Sequence, residues 1–122
     1  MSETIQLTLP YPPSTNTYYR YYRKRVVISA HGRQYKRDVA FICKQGGVTP
    51  LSGSIIANVK VFQPTRRGDL DNKFKALFDA LNGLAYDDDR QIMEIHAWKY
   101  VDNGNPRIEI ELLQRVYQRK ML

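Results

Sequence analysis

Alternating apolar and polar residues predict five strands along the chain. In most of these runs every second residue contributes to one apolar face, which is the pattern of a half-buried strand; VVIS is only a short run, and the alternation of QIMEIHAWKYV is imperfect. The runs are TIQLTL (4–9), VVIS (26–29), SIIANVKVFQ (54–63), QIMEIHAWKYV (91–101) and RIEIEL (107–112). The 54–63 run is the clearest, because its β-branched residues fall on alternating faces.

Two other segments repeat their apolar residues at helical spacing, and each is followed by a Gly-Gly or Asn-Gly pair that favours a helix end. The repeats are Tyr35, Val39, Ile42 and Cys43 over about residues 31–44, and Phe74, Leu77, Phe78 and Leu81 over residues 71–82. The resulting order is ββαβαββ. It predicts an α+β domain whose mixed, mostly antiparallel sheet carries two helices on one face.

Length and composition predict one globular domain spanning residues 1–122. The chain has 122 residues, of which 43% are hydrophobic, which suits one core and argues against disorder. Cys43 is the only cysteine, so neither an intrachain disulfide nor a cysteine-based zinc site can form. The first ten residues lack the pattern of a secretory signal, and no apolar run approaches the ~20 residues of a membrane span. We therefore expect a cytoplasmic protein that does not contact a membrane.

The charge balance points to an anionic partner. Nineteen Lys and Arg residues stand against twelve Asp and Glu residues, for a formal net charge of +7. Such an excess concentrates anions near the surface, and nucleic acid is the commonest of them. Charge alone does not distinguish nucleic acid from an acidic protein.

Two aspartates precede the second helix directly after two arginines. Asp69 and Asp71 lie in the stretch RRGDLDNKFK, and helical spacing places Asp71 and Lys75 on the side opposite the apolar stripe. Aspartate is also a favoured N-cap and first-turn residue, which explains one of the two without any further role. Lys75 likewise has a structural alternative as an i,i+4 ion pair with Asp71.

Three consecutive aspartates, residues 87–89, lie between this helix and the next strand. Such a cluster is most often a solvated turn. If the strand that follows pairs beside the 54–63 strand, however, the turn comes back towards the start of the helix. Two carboxylates ~5 Å apart repel by ~3 kcal/mol at an effective dielectric near 20, so acids gathered there need a cation. Oxygen ligands without a His/Cys set favour Mg²⁺ or Mn²⁺, the usual ions of phosphodiester hydrolysis.

The run YYRYYRKR (18–25) holds four tyrosines and four cations. Cations contact phosphates and tyrosines stack on unpaired bases, but the run also suits a half-buried hairpin whose tyrosines pack on the core. An extended strand would place Arg25 on the face of Tyr19 and Tyr21. The candidate DNA-binding residues are Arg20, Arg23, Lys24, Arg25, Arg66, Arg67, Tyr18 and Tyr19.

Three stretches together resemble the RusA family of Holliday-junction resolvases of phages and prophages. They are PYPPSTNTYYR (10–20), DLDNKFK (69–75) and DDRQI (88–92). The resemblance covers nearly the whole chain, and its motifs are specific as a set rather than in pieces. It implies an RusA-like fold and a homodimeric enzyme that nicks opposed strands of four-way junction DNA. Mg²⁺ is the implied cofactor, with Mn²⁺ as a substitute and no small-molecule cofactor. The implied location is the cytoplasm of a bacterial host.

Carried over by position, the resemblance implies that Asp69, Asp71 and Asp89 are the catalytic carboxylates and Lys75 their basic assistant. The same three acids would bind the metal, with Asp88 as an accessory ligand. This chain has three consecutive acids where the family usually has two. The register favours Asp89 because the sequence RQI follows it, and a shift by one residue stays open.

Two other functions are compatible with the sequence. A non-catalytic accessory protein that binds branched or single-stranded DNA needs only the net charge and the basic, tyrosine-rich run 18–25, which we call the basic arm. A regulator that binds an acidic protein needs only a basic face. A labelled four-way junction with Mg²⁺ separates the three functions, as paired nicks, as an intact retarded band, or as no retardation at low salt.

Overall fold

Four strands form the central sheet of the computed structural model, which describes residues 3–115. The elements, in chain order, are β1 (Thr4–Pro10), α1 (Thr15–Tyr18), β2 (Tyr19–Tyr22), β3 (Arg25–Ile28), α2 (Ala30–Gln45), β4 (Ile55–Gln63), α3 (Phe74–Ala80), β5 (Ile92–Val101) and β6 (Arg107–Gln114). Two 3₁₀ turns, Leu70–Lys73 and Asp89–Gln91, precede α3 and β5. The sheet order is β1-β6-β4-β5; β6 is antiparallel to both neighbours, and β4 and β5 are parallel. The predicted α+β class is confirmed.

The helices α2 and α3 pack on one face of this sheet. Alternate residues of β4 are fully buried, as the period of a strand requires. Burying one such aliphatic side chain stabilises the fold by roughly 1.5–3 kcal/mol relative to leaving it exposed, so a register slip would be costly. The core contains Ile55, Ala57, Val59 and Val61 of β4, Tyr35, Val39 and Cys43 of α2, Leu77 and Phe78 of α3 and Ile108, Ile110 and Leu112 of β6.

The structure adds two elements to the predicted order and changes a third. α1 is a single turn begun by Ser14, whose hydroxyl accepts a hydrogen bond from the Thr17 N–H at 3.3 Å. β2 pairs only with β3, in a separate two-stranded sheet; its aromatic and basic residues carry no apolar alternation that would identify a strand. The helix predicted over residues 71–82 begins as a 3₁₀ turn and becomes α-helical only from Phe74.

Parallel pairing of β4 and β5 requires a crossover between them. Residues 64–91 make this crossover, with α3 running back over the sheet. Ile55 at the start of β4 pairs with Ile92 at the start of β5. The condition that the 91–101 strand pairs beside the 54–63 strand is therefore met, and both sets of aspartates lie on one crossover connection.

The hairpin of β2 and β3 packs on α2, and α1, which leads into it, contacts α3. Tyr18 has no exposed surface, and its hydroxyl donates a hydrogen bond to the Asp79 carboxylate on α3. Gly32 of α2 lies under the hairpin: a Cβ there would be 2.6 Å from Ile28 Cγ2 and 2.7 Å from the Tyr18 carbonyl oxygen. The base of the hairpin is therefore fixed by close packing that only glycine allows.

The lone cysteine and the helix lengths complete the description of the fold. Cys43 is buried in α2, and its burial raises the pKa of its thiol, which lowers its reactivity. Among the helices of residues 3–115, none combines the length and the apolarity that a membrane span requires.

Candidate active site and nucleic-acid interface

The loop that leads from β4 to the first aspartate is held from two sides. Gln63 is 1% exposed, and its Nε2 donates to the Arg67 carbonyl oxygen at 2.7 Å. The Lys99 ammonium on β5 lies 3.4 Å from the carbonyl oxygens of both Arg66 and Gly68. Gly68 has a φ of 97°, a conformation that glycine adopts without strain. Side chains from two neighbouring strands thus determine the path of the loop.

Asp69 and Asp71 expose their carboxylates at the start of the first 3₁₀ turn. Asp69 occupies the N-cap position, but its side chain makes no cap hydrogen bond. No ion pair joins either aspartate to a basic side chain within residues 3–115. The pair between Asp71 and Lys75 that would have explained both residues structurally is therefore not formed in this part of the chain. Both carboxylates are free to bind an external cation.

Lys75 and Asp89 line the same shallow cavity of about 300 Å³ between α3 and the start of β5. The remaining lining residues are apolar: Phe74, Phe78, Ile92 and Ile95. Lys75 is exposed, so its ammonium is available to an anion that enters the cavity. The structure thus brings together the predicted basic assistant and one predicted catalytic carboxylate.

Asp88 has a structural role that the sequence interpretation did not include. It is the N-cap of the second 3₁₀ turn, where its carboxylate accepts from the Arg90 N–H at 2.9 Å. In return, Gln91 Oε1 accepts from the Asp88 N–H at 3.0 Å, which completes a capping box. The bond from the Arg90 N–H, helped by the guanidinium charge of Arg90, holds the pKa of Asp88 below its ordinary value. A role as accessory metal ligand competes with this cap.

The predicted acids do not form one compact cluster. Within residues 3–115 there is no group of three His, Cys, Asp or Glu side chains close enough to hold one metal ion. The expected convergence is therefore not met in this arrangement, because Asp69 and Asp71 are carried by the first 3₁₀ turn and Asp89 by the second. The chemistry of the donors does fit a hard divalent cation, since all are carboxylates and the first two are unbonded.

The basic arm is a hairpin, one of the two alternatives that the sequence left open, and its tyrosines divide between core and solvent. Tyr18 is fully buried, so its predicted contact with DNA is wrong. Tyr19 is half-buried and meets the Tyr18 ring edge-on, at 4.9 Å between centroids. Tyr21 and Tyr22 are 76% and 46% exposed. The stacking surface of the arm therefore lies towards its tip.

The turn of the hairpin is made by two cationic residues in a strained conformation. Arg23 and Lys24 have φ values of 48° and 61°, and within residues 3–115 no other non-glycine residue has a positive φ. Tight hairpins need this geometry and usually obtain it from Asn-Gly; with a side chain it costs roughly 1–2 kcal/mol per residue. The turn pairs Arg25 with Tyr22, so the face predicted for Arg25 from an extended strand is wrong.

The predicted DNA-binding cations are exposed and available. Within the described part of the chain, no carboxylate forms an ion pair with any of them. Their charge is therefore free to meet phosphate. The set comprises Arg20, Arg23, Lys24, Arg25, Arg66 and Arg67.

Sequence reasoning missed three residues that surround the first aspartate pair. Gln63 could have been noticed as a polar residue at a buried position of β4, whereas Lys99 becomes relevant only once β5 is known to pair with β4. Lys73 is 7% exposed, with its ammonium 5.4 Å from the centre of the Tyr11 ring. Burial lowers the pKa of Lys73, and the charge of Asp69 opposes that shift.

Comparison with known proteins places this chain in a family. A family model described as Endodeoxyribonuclease RusA matches residues 10–113, a range that contains the hairpin, the anchored loop and both sets of aspartates. The chain belongs to the RusA family. The resemblance drawn from three short stretches of sequence is confirmed.

Similar proteins carry a more specific name. The crossover junction endodeoxyribonuclease of Enterobacteria phage 82 is 36% identical over 115 residues, which cover 91% of this chain and 95% of the relative. The RusA proteins named crossover junction endodeoxyribonuclease in Escherichia coli K12 and in Shigella sonnei are each 36% identical over 114 residues, with the same coverage of both chains. The similarity therefore extends over nearly the full length of both partners.

Proposed function

We propose that this protein is a Holliday-junction resolvase that hydrolyses phosphodiesters in opposed strands of four-way DNA junctions. The names of its RusA relatives support this reaction class. The observation that carries the proposal is the unbonded pair Asp69 and Asp71. It lies at the end of an anchored loop and just before Lys75, inside the stretch matched to the family.

Nucleases of the resolvase family typically need a divalent metal ion, and we assign Mg²⁺, with Mn²⁺ as a substitute. Asp69, Asp71 and Asp89 would hold it if the two 3₁₀ turns that carry them approach each other, with Asp88 as an accessory ligand only if its cap opens. A bound ion supplies a water of lowered pKa and offsets the charge that develops on the phosphate. All these donors are carboxylate oxygens, the ligands that hard divalent cations prefer.

Lys75 acts on the phosphate itself in this mechanism. Its ammonium, in the cavity shared with Asp89, donates to a non-bridging phosphate oxygen and orients the phosphorus. The oxygen of one water forms a bond to phosphorus while the bond from phosphorus to a sugar oxygen breaks. The leaving oxygen takes up a proton, so one water is consumed for each nick. Positive charge fixed beside the phosphate stabilises the transition state more than the ground state.

The exposed cations bring DNA to an acidic site that would otherwise repel it. Arg66 and Arg67 precede the first aspartate with only Gly68 intervening, and the hairpin adds four further cations. Each phosphate contact releases counterions, so binding weakens as salt rises. This accounts for acidic residues set within a basic chain.

A homodimer matches the two-fold symmetry of a junction that is cut at two equivalent positions. β5 is an edge strand, and long apolar edges pair with another chain unless they are covered. Antiparallel pairing of two β5 strands is self-complementary and would give each dimer two sites. The exposed apolar residues of this edge are Met93, Ile95, Trp98, Tyr100 and Val101.

The relatives from phage and enterobacteria further support a phage or prophage origin and action in the cytoplasm of a bacterial host.

The deciding experiment is a nicking assay on a labelled four-way junction with Mg²⁺. We expect symmetric paired nicks from the wild-type protein. Asp69→Asn should lose more than about 100-fold in rate, beyond what removing a residue that merely supports a metal ligand costs. Binding in the absence of metal should survive. An intact retarded band with wild-type protein, or an undiminished rate for Asp69→Asn, would refute the proposal.

The register of the second acidic site has a matched pair of variants. Asp87 and Asp89 lie two residues apart, but only Asp89 lines the cavity with Lys75. Asp89→Asn should abolish nicking, whereas Asp87→Asn should stay within about threefold of wild type, as expected for a surface change outside the site. The reverse result would shift the assignment along the chain.

A second function is favoured by the dispersed acids. If their separation in this arrangement is permanent, the exposed hairpin still supports a non-catalytic protein that binds branched DNA. That protein would retard junctions equally well with and without Mg²⁺ and would leave them uncut.

A further inference from the structure

The tip of the hairpin presents two different faces. Opposed residues in an antiparallel pair share one face, and the register pairs Tyr19 with Ile28 and Tyr21 with Val26. These four side chains form an apolar face. The opposite face is cationic and carries the pairs Arg20 with Val27 and Tyr22 with Arg25.

The apolar face continues beyond the body of the protein. Near its base, Tyr19 and Ile28 are half-buried, and Ile28 packs over Gly32 of α2. Further out, Tyr21 is 76% and Val26 62% exposed. Neither tip residue contributes to the core, so the fold does not explain why the outer pair is apolar.

The cationic face has a different relation to its aromatic residue. The guanidinium carbons of Arg20 and Arg23 lie 5.1 and 5.2 Å from the centre of the Tyr22 ring. The Tyr22 ring is therefore already in contact with two guanidinium groups, and it orients both arginines. Tyr21, by contrast, has a free ring face. The two adjacent tyrosines therefore have separate roles.

The cations around the Tyr21–Val26 pair indicate which kind of molecule binds over it. Four cations lie within the same hairpin, and in residues 3–115 no carboxylate pairs with them. An apolar partner would have to desolvate these charges without compensation. A nucleic acid offers an apolar base and its own phosphates in one ligand.

Building on the proposed function, we propose that Tyr21 and Val26 form a wedge that receives an unstacked base at the branch point of junction DNA. The cations of the same hairpin hold the flanking phosphates. Bases at a branch point unstack at lower cost than bases within a duplex. The wedge therefore contributes selectivity for branched over linear DNA, whereas the cations contribute affinity for both.

The test uses a four-way junction with 2-aminopurine at the branch point, mixed with the full chain in EDTA so that no cutting occurs. Wild-type protein should change the fluorescence of the probe base on binding. Tyr21→Ala should abolish that change and weaken junction binding by about 5- to 150-fold, the range for loss of one aromatic stack. Binding to linear duplex should stay within about twofold, because the cations remain.

Two variants control the result. Tyr21→Phe keeps the ring and should retain both the fluorescence change and junction affinity. Phe41→Ala removes another exposed aromatic, 64% exposed on α2, and should alter neither. Equal weakening of junction and duplex by Tyr21→Ala, or an unchanged probe signal, would overturn the wedge. So would a shift in the monomer–dimer equilibrium without loss of signal, since that assigns the pair to a contact between copies.

This result is independent of catalysis. Nicking of the same junction by wild-type protein in Mg²⁺ is scored separately. A protein that nicks junctions but gives a normal probe signal with Tyr21→Ala refutes the wedge alone. A protein that shows the Tyr21-dependent signal but never nicks refutes the nuclease and leaves the wedge in place.

Discussion

The side-chain amide of Gln63 makes one hydrogen bond with its nitrogen, whereas its oxygen makes none within residues 3–115. Its Nε2 holds the Arg67 carbonyl at 2.7 Å, while its Oε1 is buried without a partner among residues 3–115. Such an arrangement is poor for stability but fixes the loop that carries the chain to Asp69. We therefore expect Gln63→Met, a change of similar length and no hydrogen bonding, to separate stability from activity.

The expected change in the free energy of unfolding follows from two oxygen atoms: the Arg67 carbonyl oxygen, which loses its donor, and Gln63 Oε1, which is removed. Loss of the bond to Arg67 costs about 1 kcal/mol, because water can replace the donor at an exposed loop carbonyl. Removing a buried unsatisfied acceptor restores about 1–3 kcal/mol. With under about 1.5 kcal/mol for imperfect fit of the new side chain, the free energy of unfolding should fall by no more than about 1.5 kcal/mol and can rise by up to ~2 kcal/mol. Nicking should nevertheless slow several-fold and need more Mg²⁺.

Urea unfolding and a Mg²⁺ titration of junction nicking measure the two effects. Gln45→Met, at an exposed position ending α2, controls for the substitution itself. Lys99→Met removes the other anchor of the loop and should slow nicking without destabilising the fold. If Gln63→Met lowers the free energy of unfolding by more than ~1.5 kcal/mol while nicking is normal, the loop-anchoring argument is wrong.

Three further outcomes can be measured on the same preparations. Asp88→Ala should lower the unfolding free energy through loss of the cap while leaving more nicking activity than Asp69→Asn. Because the cap lowers the pKa of Asp88, its contribution exists above the unfolded value of 3.8 and is lost as the pH falls through the lower folded value; the variant should be less sensitive to acid there. Arg66→Ala and Arg67→Ala should each weaken junction and duplex binding alike and reduce the salt slope by about 1; an unchanged slope would exclude a phosphate contact. Trp98→Lys should shift a dimer towards monomer in sedimentation while Phe41→Lys does not, and equal dimer fractions would remove β5 as the interface.

Periodicity in the sequence was sufficient for the elements with one buried face. β4 alternates strictly, and the α3 stripe of Leu77, Phe78 and Leu81 is buried as its spacing predicts. In these segments side-chain burial decides the backbone conformation. The pairing of β5 beside β4 was considered only as a condition for the acids to meet, and the structure shows that pairing.

The hairpin and the positions of the acids depend on interactions that the sequence does not display. Arg23 and Lys24 carry no turn signal, so the two-residue turn became visible only from their positive φ angles. Tyr18 was assigned to DNA by its neighbours in sequence, whereas its burial depends on Asp79, sixty-one residues away. Asp88 was grouped with its neighbours as a ligand, although a local capping box already uses it.

Gly32 limits where this protein can change. Its backbone touches Tyr18 and Ile28 so closely that a methyl group would displace one of them, and with them the whole arm. Adaptation to other branched substrates is therefore confined to the far end of the arm, where Tyr21 and Val26 are largely exposed. Gly32 therefore fixes the base of the hairpin and leaves substitution possible mainly at its exposed tip.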